Sequence, residues 1–138
     1  MVIRNVLIIT LLCTTVHVWS AVDASKEYAN DLPEEIVQAL KAGDAKTISK
    51  YFNSSIELNF SDSQGVYGKA QAEQILKNFF SNNAPANGKF EYNHLHTFDN
   101  KDNAQYYIGA LHTGKGIYRL HIFMKDQRIH QMRIDSND

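Results

Sequence analysis

At 138 residues the chain is long enough for one domain and too short for two of ordinary size. A composition of 43% hydrophobic, 11% aromatic and 21% charged residues excludes a disordered or low-complexity protein. A net charge of −1 leaves no basic footprint for nucleic acid and no lysine run for an anionic membrane, so neither is an expected partner.

The first twenty residues differ from the rest. Met1-Val2-Ile3-Arg4-Asn5 carries one positive charge, and Val6 to Val16 is uncharged and mostly apolar. Small residues follow in Val18-Trp19-Ser20-Ala21 and again in Val22-Asp23-Ala24. That order predicts a secretory signal peptide over residues 1–20, cut after Ser20 or after Ala24. The apolar stretch is shorter than the ~20 residues a membrane span needs, so no stable anchor is expected. Cys13, the single cysteine, lies inside it. The mature chain therefore offers no disulfide, thiol nucleophile or thiolate ligand. The expectation is an exported protein, periplasmic or extracellular.

Residues 21–30 read as a short polar leader, and a single domain is expected over 31–138. Asp31-Leu32-Pro33-Glu34 opens a first helix with a cap, a proline in the first turn and an acid three residues on. Ile36, Val37 and Leu40 form its apolar stripe, and Gly43 ends it. Asp44 caps a second helix, AKTISKYF. SSIELNFSDS then alternates as a half-buried strand, with Ile56, Leu58 and Phe60 on one side. A turn at Ser63-Gln64-Gly65 leads to Gly68 and a third helix striped by Ala72, Ile75, Leu76, Phe79 and Phe80. SNNAPANG is a loop. Four strands follow at about 89–98, 104–113, 116–125 and 128–135, joined by short polar turns. The predicted class is α+β, a curved antiparallel sheet forming a cone, with three helices packed on its concave face.

The segments ALKAGDAKTISKYFNSSIEL, YGKAQAEQILKNFF and YIGALHTGKGIYRLHIFMK, taken together, resemble the nuclear-transport-factor-2-like superfamily. Within it, the chain is most similar to a family of secreted bacterial proteins labelled domain of unknown function 4783. The resemblance covers roughly residues 31–135 and implies the cone fold. It does not imply one function, because this fold hosts enzymes, binding modules and scaffolds alike.

A two-residue turn at Gly114-Lys115 pairs Leu111 with Tyr118. Tyr107, Gly109, Leu111, Tyr118, Leu120, Ile122 and Met124 then share the more apolar, concave face. Extending by Asp126-Gln127 adds Gln131 and Arg133 to it, unless a bulge swaps that strand. Tyr107, Tyr118, Gln131 and Arg133 are thus the expected cone-pocket residues, suited to a polar or anionic small molecule. The opposite face is too apolar for water alone. Tyr106, Ile108, His121, Phe123 and His130, with His94 and His96, are its expected interface residues, with a second copy of the chain as partner.

Five of the six histidines fall in the last third of the chain. A metal needs three or four converging ligands, and His94 and His121, two strand spacings apart, are wide for a shared ion unless both side chains lean inward. No metal, cofactor or catalytic residue is assigned, and metal binding is kept as a third reading. The leading functional expectation is a non-catalytic ligand-binding or assembly module. The alternative is an isomerase- or cyclase-type enzyme with His94 or His96 as general base, which requires one of them to project into the cone.

Overall fold

The structure, a computed structural model, describes residues 31–137, so the expected signal peptide and leader lie outside the described residues. Helix α1 spans Glu34–Ala42. Its cap is Pro33, whose carbonyl accepts from the Ile36 and Val37 N–H groups, not the side chain of Asp31. Gly43 closes α1 in the left-handed region (φ 64°), where a residue without Cβ is least strained. Asp44 then caps α2, Ala45–Ser49, accepting at 3.1 Å from the Thr47 N–H and at 2.6 Å from its hydroxyl. Helix α2 is shorter than the predicted AKTISKYF. Tyr51 and Phe52 leave it because the Tyr51 carbonyl accepts from Ile129 at 2.7 Å, so the sheet already begins at Phe52.

The strands are β1 Phe52–Phe60, β2 Ser63–Gly68, β3 Glu91–Asn100, β4 Ala104–Thr113, β5 Gly116–Lys125 and β6 Arg128–Ser136, with α3 (Lys69–Asn82) between β2 and β3. They form one curved, unclosed sheet in the order β2-β1-β6-β5-β4-β3. Neighbours are antiparallel except β1 and β6, whose parallel pairing makes the sheet mixed. β2 was not expected as a strand. Its SQGVYG carries two glycines and an exposed Val66, a weak strand pattern held as a hairpin partner of β1.

One face of this sheet meets all three helices. Ile56, Leu58, Leu111, Leu120, Ile122 and Met132 from the strands, with Ile36, Leu40, Ile48 and Leu76 from the helices, are buried in one cluster. The β4–β5 hairpin has the expected register, Leu111 opposite Tyr118 and Thr113 opposite Gly116. In β6 a bulge intervenes. Met124 pairs with Ile129 but Phe123 with Gln131, which leaves His130 unpaired. Past it, Met132 and Ile134 turn inward and are buried, while Gln131 and Arg133 turn outward, reversing the facing expected for all four.

A second bulge sits in β3. His94 pairs with Gly109 and His96 with Ile108, leaving Leu95 as the extra residue. It sends His94 to the concave side and Leu95 and His96 to the outer side. The expectation that both histidines lie outside holds for His96 and is corrected for His94.

Gly109 shows how closely the concave face is packed. A Cβ there would lie 2.2 Å from the ring of Tyr92, which covers this position. Gly109→Ala should lose about 1–3 kcal/mol by overpacking, read as a lower urea midpoint with an unchanged slope. An unchanged midpoint would show that the Tyr92 ring moves aside freely.

Candidate functional site

The concave side carries a cavity of about 370 Å³ between α3, the β1–β2 turn and the start of β5. Phe60, Ile75, Phe79 and Tyr118 form its apolar wall. The rings are locked edge to face, Phe79 against Tyr118 with centroids 5.3 Å apart and Phe60 tilted against Phe79 at 5.7 Å. Ser61, Asp62, Ser63, Asn78, Asn82, Asn83 and Lys115 supply a polar rim. Asn83 anchors the two halves. Its amide nitrogen donates to the Phe79 carbonyl at 2.8 Å, and its oxygen accepts from the Tyr118 hydroxyl at 3.1 Å.

Of the four expected pocket residues, only Tyr118 lines this cavity. Tyr107 is buried further along the sheet, its hydroxyl donating to Gln105 at 2.7 Å. Gln131 and Arg133 are on the other face because of the β6 bulge.

At the opposite end of the concave side a smaller recess of about 150 Å³ lies between the start of α1 and β3, lined by Asp31, Leu32, Glu34, Val37, Tyr92 and His94. His94 stands edge-on to Tyr107 with centroids 6.3 Å apart, and its Nε2 is 2.9 Å from Thr97 Oγ1 and 4.0 Å from Asp31 Oδ1. Burial, with Asp31 and Tyr107 adding to it, pushes the Tyr92 hydroxyl up to about 12. Burial, then Asp99 and Asp31, also raises Tyr107.

The outer face holds the remaining expected interface residues. Tyr106, Ile108, His121 and Phe123 are half-buried side by side, His130 stacks edge-on to Phe123 at 6.3 Å, and His96 lies beside Phe98 at 6.2 Å. Leu95, Phe98 and Ile117 are exposed there, at 46%, 57% and 43%. Among the described residues no cluster of three or more His, Cys, Asp or Glu side chains could hold a metal ion, and no helix is long and apolar enough to cross a membrane.

The family described as Domain of unknown function (DUF4783) matches residues 33–135. The chain belongs to the DUF4783 family. A DUF4783 protein from Bacteroides uniformis is 28% identical, aligned over 78% of this chain and 99% of that one, with a TM-score of 0.68. At 14% identity, an NTF2-like protein of unknown function from Cytophaga hutchinsonii aligns over 75% of this chain and 85% of its own, TM-score 0.51. A putative polyketide cyclase from Sinorhizobium meliloti, 15% identical, aligns over 76% of this chain and 96% of its own, TM-score 0.54. These two likenesses establish the NTF2-like fold of this DUF4783 domain. No functionally curated protein matches the chain.

In this DUF4783 domain the rim residues Asn82 and Asn83 were missed because SNNAPANG carries only a loop signal, and Asn78 because it stands off the apolar stripe of the third helix. The phenylalanines before it did carry a helical stripe, and continuing that stripe past Phe80 would have pointed to Asn83 beneath Tyr118.

The raised Tyr92 gives a pH test. Above about pH 10 the unfolded chain releases this proton while the folded chain keeps it until about 12, so the unfolded state binds fewer protons and stability falls across that window. Urea unfolding between pH 9 and pH 12 should show a loss on the order of 2 kcal/mol, clearly reduced in Tyr92→Phe. Equal losses in both proteins would mean that Tyr92 ionises as freely folded as unfolded.

Proposed function

We propose that this protein is a non-catalytic, exported ligand-binding and assembly module, with the Tyr118 cavity as its small-molecule site and the outer sheet face as a homodimer interface. The observation that carries the reading is the cavity itself. Its volume, about 370 Å³, lies in the range of small-molecule sites, and it combines a fixed aromatic wall with convergent amides and hydroxyls. The complementary ligand is small, has an apolar face for Phe79 and Tyr118, and carries hydrogen-bonding groups along one edge for Asn82, Ser61 and Ser63. Among the described residues the cavity lining holds one carboxylate, Asp62, which is exposed on the rim, and no histidine. Screening a fragment library by amide NMR should give hits that shift Phe79, Asn82 and Tyr118 and lose about tenfold or more in affinity in Tyr118→Ala. Hits confined to other surfaces would refute the cavity as the site.

The assembly half rests on Leu95, Phe98 and Ile117 standing exposed beside the half-buried Tyr106, Ile108 and Phe123. Sedimentation equilibrium should give twice the mass of one chain, and Phe98→Asp should return it to a monomer with an unchanged circular dichroism spectrum. A monomeric wild type at tens of micromolar would end this half of the reading.

One observation favours a second reading, an isomerase- or cyclase-type enzyme. His94 lies on the concave side beside Tyr107, with Asp31 4.0 Å from its Nε2. Such a base would exchange the α-proton of a bound ketone. Deuterium exchange into a panel of cyclic ketones, lost in His94→Gln, would support it, and no exchange above buffer would exclude it for those substrates.

A further inference from the structure

The outer face carries a third concavity, on the opposite side of the sheet from the two recesses beside the helices. It is an open groove of about 580 Å³ lined by Asn59, Gln64, Arg119, His121, Arg133 and Asp135, among others. Strand register explains why these residues meet. Gln64 pairs with Asn59, Asn59 with Arg133, and Arg133 with His121, which makes one row across β2, β1, β6 and β5. Arg119 lies opposite Asp135 in the next row, so the two arginines are diagonal neighbours, spaced about 7–8 Å at the backbone. The β6 bulge is what brings Arg133 to this side.

The charges do not balance within the groove. Asp135 is its one carboxylate among the described residues and is already engaged, its Oδ2 2.6 Å from Arg133 Nε and 3.7 Å from His121 Nε2. Arg119 is exposed, and its guanidinium makes no ion pair or hydrogen bond with a described residue. Arg133 bonds Asp135 through Nε, and about half of its side chain is exposed to solvent. The His121 ring is held from behind, its Nδ1 3.2 Å from the Tyr106 hydroxyl. Amides from Asn59 and Gln64 and the hydroxyl of Ser61 add neutral donors.

We propose that this groove is an oxyanion site, which takes the carboxylate or phosphate group of a small molecule between the guanidiniums of Arg119 and Arg133. A planar fork of N–H donors matches such an anion in two-point geometry, and two forks on adjacent strands can hold it from both sides. Asp135 acts as the internal competitor. It holds Arg133 in place and must share that guanidinium when an anion arrives.

The groove shares Ser61 with the rim of the Tyr118 cavity but lies on the other face of the sheet, and it does not depend on a ligand being found in that cavity. Amide and arginine side-chain NMR of the folded protein, titrated with inorganic phosphate and separately with acetate at constant ionic strength, tests it. Saturable shifts at Arg119, His121 and Arg133 are expected. Saturation by only one of the two anions identifies the group that the site takes. Arg119→Gln should weaken binding about tenfold. Asp135→Asn should tighten it several-fold, an effect that a merely structural carboxylate would not produce. Linear, unsaturated shifts that match a chloride control, or weaker binding in Asp135→Asn with the fold intact, would overturn the proposal.

Discussion

The sheet must turn an unbroken apolar face toward three helices, and that requirement sets the register of the strands. In β6 simple alternation cannot satisfy it. Ile129 is one residue out of phase with Met132 and Ile134, yet all three are buried. The bulge at His130 resolves the conflict by giving up one position of the ladder. The magnitudes favour it clearly. Burying a large apolar side chain contributes about 1.5–3 kcal/mol, while a backbone hydrogen bond is worth about 0.5–1.5 kcal/mol net. Two inward residues outweigh one disrupted rung. Arg133 and Gln131 reach the outer face as a consequence of that exchange.

The β3 bulge has no such origin, since Leu95 stays 46% exposed. Its effect is directional. Leu95 and His96 both project outward, and Thr97 comes back to the concave side within 2.9 Å of His94 Nε2. Two histidines that a regular strand would put on one face are separated onto two. His94 faces Tyr107 and Asp31, and His96 joins Phe98.

Elements whose boundaries are marked by local chemistry were legible in the sequence. Gly43-Asp44 ends one helix and starts the next through a left-handed glycine and a carboxylate cap, both plain in the residue types. The Gly114-Lys115 turn fixed the β4–β5 register, and with it the inward facing of Tyr107, Leu111, Leu120, Ile122 and Met124. Features set by long-range balance were not legible. The facing of β6 depends on how much apolar area Met132 and Ile134 find among the helices. The strand character of β2 depends on β1 being there to pair with it. The pocket around Tyr118 depends on Asn83, thirty-five residues away: the stripe of α3 leads to Asn83, but the pairing of the two is set by tertiary packing.

Register also divides the outer face into two chemistries. Across β2, β1 and β6 the outward residues are mostly polar, with Gln64, Asn59, Glu57, Gln131, Arg133 and Asp135 beside a single apolar Val66, and across the middle of β4 and β3 they include Tyr106, Ile108, Leu95, His96 and Phe98. β5 is the seam. Its Arg119 faces the charged half and its Phe123 the apolar one, while His121 touches Asp135 on one side and Tyr106 on the other. Burial lowers the His121 imidazole, against the opposing pull of Asp135, which favours a neutral ring able to bridge the two halves. A partner seated on β3 and β4 would cover the apolar half and still leave the arginines open to solvent. The two outer-face roles can therefore coexist on one sheet, with the Tyr106–His121 contact at the seam between them.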